Sequence, residues 1–314
     1  MTTQRQTGHT KGKQATCTCR IDGLEQDQMR SGLEEPSIIY CPMDENKPDI
    51  QTIGAKPFLK WVGGKRSILS QLLERMPKAY LSYNEPFLGG GALFFAVQPA
   101  KAYLSDINFP LILTFQAVRD DVDRLILNLK VHERLHNKTY YQSVRERLSK
   151  EKDPLKVAAL FIYLNKTCYN GLYRVNRAGK FNVPIGDYKD PSLFDEEILR
   201  KDSELLKGIT LKQHEFSQLP IARENFYYLD PPYHKTYDGY NGSGFGDEEH
   251  KKLAEFCKEI DQAKAFFMLS NSDTSFVRSL YSKFHIEQIE ASRSVSCKAN
   301  QRGKENEVIV RNYE

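Results

Sequence analysis

No run of eighteen apolar residues occurs anywhere in this sequence, so no segment reads as a membrane span. The opening twenty residues, MTTQRQTGHTKGKQATCTCR, lack the apolar core of a secretory signal. Cysteine is sparse and scattered, with six residues in a chain of 314. That scatter excludes a disulfide scaffold and makes a reducing cytoplasm the expected setting. Cys17, Cys19 and Cys41, with His9, invite a zinc reading. A C-x-C pair in a polar stretch lacks the usual C-x₂-C spacing, however, and no metal is expected. A formal charge of +4 is too small by itself to mark a nucleic-acid binder. No internal repeat is present.

What the chain does contain is an interrupted α/β pattern. Residues 1–54 are polar, rich in Gln, Thr, Glu and Asp, without periodicity, and read as a disordered extension. From residue 55 the texture changes. RSILSQLLERM (66–76) has helical apolar spacing, AYLSYNEPF (79–87) reads as a strand, GALFFAV as a helix and KAYLSDIN (101–108) as a second strand. Strand, glycine turn, helix, strand is a βαβ unit. Residues from about 109 to 165 are nearly all helical in pattern, and 166–190 are irregular. After 205 the alternation resumes with ITLKQH, NFYYLD, a helix at 247–261, AFFMLSN, FHIEQIE and NEVIVRNY. The expected layout is an α/β body of 55–118 and 206–314, with 119–205 as a helical insertion.

Four clusters could carry chemistry. EPFLGGGALFF (85–95) places Gly89 and Gly91 between strand and helix, where backbone can approach a ligand, yet Leu93 and Phe94 stand where G-x-G-x-x-G needs its third glycine. Asp106 ends the second strand, a position from which an acid can accept bonds from ribose hydroxyls; the plainer alternative is a cap for the next helix. In KWVGGKRS, Lys65 follows two glycines but lacks the rest of a phosphate loop, and reads as an ammonium on a flexible turn facing a small carboxylate. The fourth is Asp230-Pro231-Pro232-Tyr233. Two prolines cannot serve a strand ladder, so this tetrapeptide ends the strand abruptly and gathers a carboxylate, a restrained carbonyl and an aromatic ring. Two such acceptors suit an exocyclic base amine, whose lone pair they can localise, and the ring suits a base taken out of the duplex.

Taken in order, KWVGGK, EPFLGGGALFF, SDIN, FIYLNKTCYNGLYRVNRAGKFNVPIG and DPPY resemble the Dam-type DNA adenine-N6 methyltransferases over about residues 57–314. The resemblance implies a Rossmann-like sheet with a helical DNA-recognition insertion. It also implies S-adenosylmethionine as methyl donor, no metal, double-stranded DNA as partner, and base flipping. By motif position it puts Trp61, Lys65, Phe87, Gly89, Gly91, Asp106 and Asp230 at the cofactor, and Asp230, Pro231, Pro232 and Tyr233 at the flipped adenine. Tyr169, Asn170, Leu172, Arg174 and Pro184 fall at GATC-recognition positions. Lys166 stands where relatives often carry arginine, keeping a phosphate contact without the planar fork.

Arg174 suits guanine O6 and N7. RSVSCKANQRGK (293–304), with four cations and no acid, reads as a phosphate-contacting loop or a solvated one. HKTYDGYNGSGFG (234–246) reads as a loop able to order around an extruded base, or as a plain connection. Methylation of GATATC, N4-cytosine methylation and a non-catalytic DNA-binding protein stay open as alternatives. A monomer is expected, and whether a cognate restriction endonuclease exists is open.

Overall fold

The computed structural model describes residues 56–188, 190–235, 245–292 and 304–314. The extension 1–54 with its cysteines, Cys297, most of the 293–304 stretch and residues 236–244 of the loop after Tyr233 lie outside them.

Seven strands are present among the described residues: β1 (Tyr83–Glu85), β2 (Ala102–Asp106), β3 (Thr210–Gln213), β4 (Phe226–Leu229), β5 (Phe266–Ser272), β6 (His285–Ser292) and β7 (Lys304–Arg311). They form one sheet in the order β3-β2-β1-β4-β5-β7-β6. The first five run parallel, Tyr83 of β1 pairing with Ala102 on one side and Phe226 on the other. β7 is antiparallel to both β5 and β6.

Side chains alternate across a strand, and here both faces are buried. Phe226 and Tyr228 of β4, Met268 of β5 and Ile309 of β7 enter one core. Their neighbours Tyr227, Leu229, Phe267, Leu269, Val308 and Val310 enter a second. The first core is covered by α1 (Leu69–Glu74), α2 (Ala92–Val97), α3 (Phe109–Asp120), α4 (Val122–Arg134), α5 (Lys138–Arg147), α6 (Pro154–Thr167) and α7 (Glu196–Leu206). The second is covered by α8 (Asp247–Gln262) and α9 (Ser275–Leu280). The result is helix, sheet, helix in three layers.

The long helices start where side chains can cap them. Asn108 caps α3 by accepting from the Leu111 N–H, with Pro110 in the first turn, and Asp153 caps α6 ahead of Pro154. α6 is buried nearly all round, which explains its run of Val157 to Asn165 with little polar interruption. Helices α4 to α7 fall between β2 and β3 in sequence and pack on α3 and on each other.

The order of strands places the site. The chain moves outward from β1 to β2 to β3, then returns to lay β4 on the opposite side of β1. In an open parallel sheet the crevice beyond the carboxyl ends at such a reversal is where ligands sit. Three acids stand at that edge of three adjacent strands: Asp106 ends β2, Glu85 ends β1, and Asp230 directly follows β4.

Candidate active site

The strand at 226–229 stops at Leu229, directly before Asp230 and the two prolines. Pro231 is buried and Pro232 exposed. The Asp230 carboxylate meets Lys65 Nζ at 2.8 Å and accepts from Ser270 Oγ at 2.9 Å, both at Oδ1. Ser270, in β5, is also 3.3 Å from the Tyr228 hydroxyl. Lys65 is 8% exposed, and its ammonium is held by Asp230 and by the Gly63 carbonyl, 2.7 Å away. The same ammonium lies 4.7 Å from the Tyr233 ring centroid, over its face. The Tyr233 hydroxyl donates to Glu307 Oε2 of β7 at 2.9 Å. Burial, with Asp230 and Glu307 adding, pushes the Tyr233 phenol well above its usual range.

A second acid backs this centre. Glu85 is 2% exposed and accepts from the Tyr83 hydroxyl at 2.7 Å. Burial raises its carboxyl to about 8; Asp230 pushes the same way, while the Tyr83 bond, Lys65 and the Phe94 N–H at the start of α2 oppose it.

The glycine turn after β1 is shaped by Trp61. Gly89 has φ +48, and a Cβ there would lie 2.7 Å from Trp61 Nε1. Gly91, φ +67, caps α2 in the left-handed region and donates its N–H to the Leu88 carbonyl. Phe87 leads into the turn half-buried, stacked on Phe216 at 5.5 Å. The Gly89 N–H donates to Asp106 Oδ2 at 3.0 Å, and the Asn108 N–H to Oδ1 at 2.9 Å. Asp106 is therefore not the cap of α3, a place held by Asn108. It braces the glycine turn against the end of β2, and burial raises its carboxyl.

Trp61, Lys65, Phe87, Gly89, Gly91, Asp106 and the Asp230–Tyr233 tetrapeptide are thus gathered at the carboxyl edge of the sheet. The other predicted group lies after α6. The Tyr169 N–H donates to the Pro184 carbonyl at 2.9 Å, and Cys168 bridges Ile185. Val175 bridges Phe181 in a hairpin, across which Arg174 Nε donates to Asn182 Oδ1 at 2.8 Å. Tyr169 and Asn170 are exposed, Asn170 at φ +54, and Pro184 is exposed. Leu172 is buried, and Lys166 is half-buried near Asp202 rather than extended into solvent. Its ammonium is lowered to about 8, by burial first and then by Lys60 and Arg66.

Ser270, Glu307 and Glu85 are residues that sequence reasoning did not assign. The only local signal was SNSD, a polar run closing the apolar strand AFFML. Among the described residues no cluster of three or more His, Cys, Asp or Glu is placed to hold a metal.

A mostly parallel sheet with a glycine turn and acids at its switch point is the class of α/β fold that binds nucleotide-like ligands in that crevice. The D12 class N6 adenine-specific DNA methyltransferase family matches residues 61–295. The chain is 42% identical over 290 residues to a type II methyltransferase, M.MjaIII, of Methanocaldococcus jannaschii, covering 82% of this chain and 99% of that protein. It is 38% identical over 275 residues to the type II methyltransferase M1.LlaDCHI of Lactococcus lactis, covering 83% and 96%. It is 31% identical over 269 residues to a DNA adenine methylase of Haemophilus influenzae, covering 81% and 93%. The chain belongs to the D12 class of adenine-specific DNA methyltransferases. Membership implies S-adenosylmethionine as methyl donor and DNA as the molecule acted on.

Proposed function

We propose that this enzyme flips an adenine from double-stranded GATC and methylates its N6. S-adenosylmethionine would supply an electrophilic methyl group. The residues that suit it are Asp106, an acceptor for ribose hydroxyls, and the Gly89–Gly91 turn, with Trp61, Lys65 and Phe87 around them. The observation that carries the proposal is the Asp230 carboxylate, aimed by Lys65 and Ser270 at the crevice edge of β4.

Both contacts of that carboxylate among the described residues are to Oδ1, which leaves acceptor capacity at Oδ2 for an amine N–H. The Pro231 carbonyl would accept the second N–H. Together they would hold the lone pair toward the methyl group. The N–C bond would form as the S–C bond breaks, S-adenosylhomocysteine would leave, and the nitrogen, cationic once alkylated, would lose a proton to solvent. Orientation and preset charge contribute more here than proton abstraction. Tyr233, its hydroxyl tied to Glu307, would present its ring to the flipped base, which requires the Lys65 ammonium to share or leave that face.

We assign residues 119–205 to target recognition and 55–118 with 206–314 to methyl transfer, in a monomer expected in the cytoplasm. Tyr169, Asn170 and Pro184 are displayed for base contact, while Leu172 would act by shaping the loop and Lys166 by charge. Asn182 presets the Arg174 guanidinium for a guanine edge.

Labelled methyl transfer into duplexes containing GATC, GATATC or neither, followed by nucleoside analysis, tests this reading. N6-methyladenine in GATC alone is expected. Label confined to GATATC, or found in cytosine, would overturn the recognition assignment. Arg174→Ala should lower discrimination against a substituted guanine by on the order of ten- to a hundredfold, about 1–3 kcal/mol.

A further inference from the structure

Asn165 sits near the end of α6, 4% exposed, and does something unusual for a buried amide. Its Oδ1 accepts the backbone N–H of Lys60 at 2.9 Å, and its Nδ2 donates to the Lys60 carbonyl at 2.7 Å. The side chain thus pairs with both polar groups of one residue, as a neighbouring strand would, across 105 positions of sequence. Nδ2 also lies 3.4 Å from the Gly171 carbonyl. Gly171 itself is pressed on the same residue: at φ +65, a Cβ there would come within 2.7 Å of Lys60 Cβ.

The residue after Lys60 is Trp61. One side of its indole covers Gly89 and Gly90, so the glycine turn and the ring are in direct contact. Its ring also stacks with Tyr173, centroids 6.2 Å apart and planes within 17°. Tyr173 lies between Leu172 and Arg174, in the stretch assigned to reading bases. Burial pushes its phenol up to about 12, with the Asp106 carboxylate adding to the rise.

We infer that Asn165 is a positioning residue that couples target recognition to the cofactor site, by holding Lys60 and Trp61 in register with residues 169–174. This rests on the proposed roles of those two groups of residues. A duplex that orders 169–174 acts on Tyr173, and through it on Trp61 and the turn that Trp61 covers. A cofactor that orders the turn acts on the same contacts in reverse. Linkage makes the two effects equal in size.

Trp61 is the sole tryptophan of the chain, so its emission reports this junction directly. The full-length protein is titrated with S-adenosylhomocysteine, alone and with a GATC duplex or a scrambled one. In the wild type the GATC duplex should change Trp61 emission without cofactor. It should also tighten S-adenosylhomocysteine binding on the order of tenfold, the scrambled duplex doing much less. Asn165→Asp keeps the acceptor for the Lys60 N–H but turns an oxygen toward the Lys60 and Gly171 carbonyls. In that variant the ratio should fall close to one, while each ligand's separate affinity moves far less.

A full ratio in Asn165→Asp would overturn the inference. So would a wild-type emission that follows the cofactor but ignores the cognate duplex, a result that needs no variant to fold. Emission that ignores the cofactor as well would overturn the cofactor assignment itself.

Discussion

A carboxyl group taken out of water keeps its charge only where partners replace the lost solvation. Asp230 has the Lys65 ammonium and the Ser270 hydroxyl. Glu85, behind it, has a phenol and one backbone N–H, and its carboxyl rises to about 8. Unfolded, the same group titrates near 4.3, at about the ordinary value for glutamate. Between those two values the folded chain binds the extra proton, so its stability is present below the window and declines as pH rises through it. Glu85→Gln keeps an acceptor for the Tyr83 hydroxyl and should flatten the fall in urea midpoint between pH 5 and 8. The buried Asp202, also raised to about 8, supplies a residual slope of the same sign. An unchanged slope in the variant would show that Glu85 is ionised when folded. Nothing local in the sequence announced this difference: EPF and DPP look alike as acid-proline pairs, and only the partners brought in from 65 and 270 separate them.

At the scale of elements, the strand–turn–helix unit was legible because its period changes at the glycines, from alternation to helical spacing. The same held for β4, whose end is written in the two prolines. Less legible were the partners. Ser270 reaches Asp230 across 40 positions and Glu307 reaches Tyr233 across 74, distances at which no spacing rule operates. Trp61 was placed at the cofactor by motif, yet its contact with Gly89 explains the turn itself. Gly89→Ala meets two penalties, a left-handed backbone and a Cβ 2.7 Å from the indole nitrogen. Gly179→Ala meets only the first, since nothing lies within 4 Å of its Cβ although φ is +71. The backbone penalty alone is about 1–2 kcal/mol. Urea unfolding should therefore show a larger loss at Gly89 than at Gly179, with cofactor affinity falling only at Gly89. Equal losses would remove Trp61 as the reason for that glycine.

For the molecule as a whole, the fold class followed from alternating strands and helices, and the sheet order explains why distant motifs meet. Reversal of direction between β3 and β4 brings the ends of β1, β2 and β4 to one edge, and the acids at all three ends with them. What the pattern did not contain is which side chains of 166–184, the stretch proposed to read DNA, are displayed. Leu172 and Lys166, alike in motif position to the exposed Tyr169, are drawn inward. The near balance of 45 basic and 41 acidic residues means that affinity for DNA rests on local cations and should weaken with salt. The central claim is that the Asp230 centre performs transfer and is not the source of DNA affinity. Single-turnover methyl transfer and salt-dependent duplex binding, measured side by side for wild type and Asp230→Ala, test it most directly. Transfer should fall by a hundredfold or more, about 3 kcal/mol or greater, with the affinity for DNA and its salt slope kept. Equal loss of transfer and binding, or transfer that survives the substitution, would contradict it.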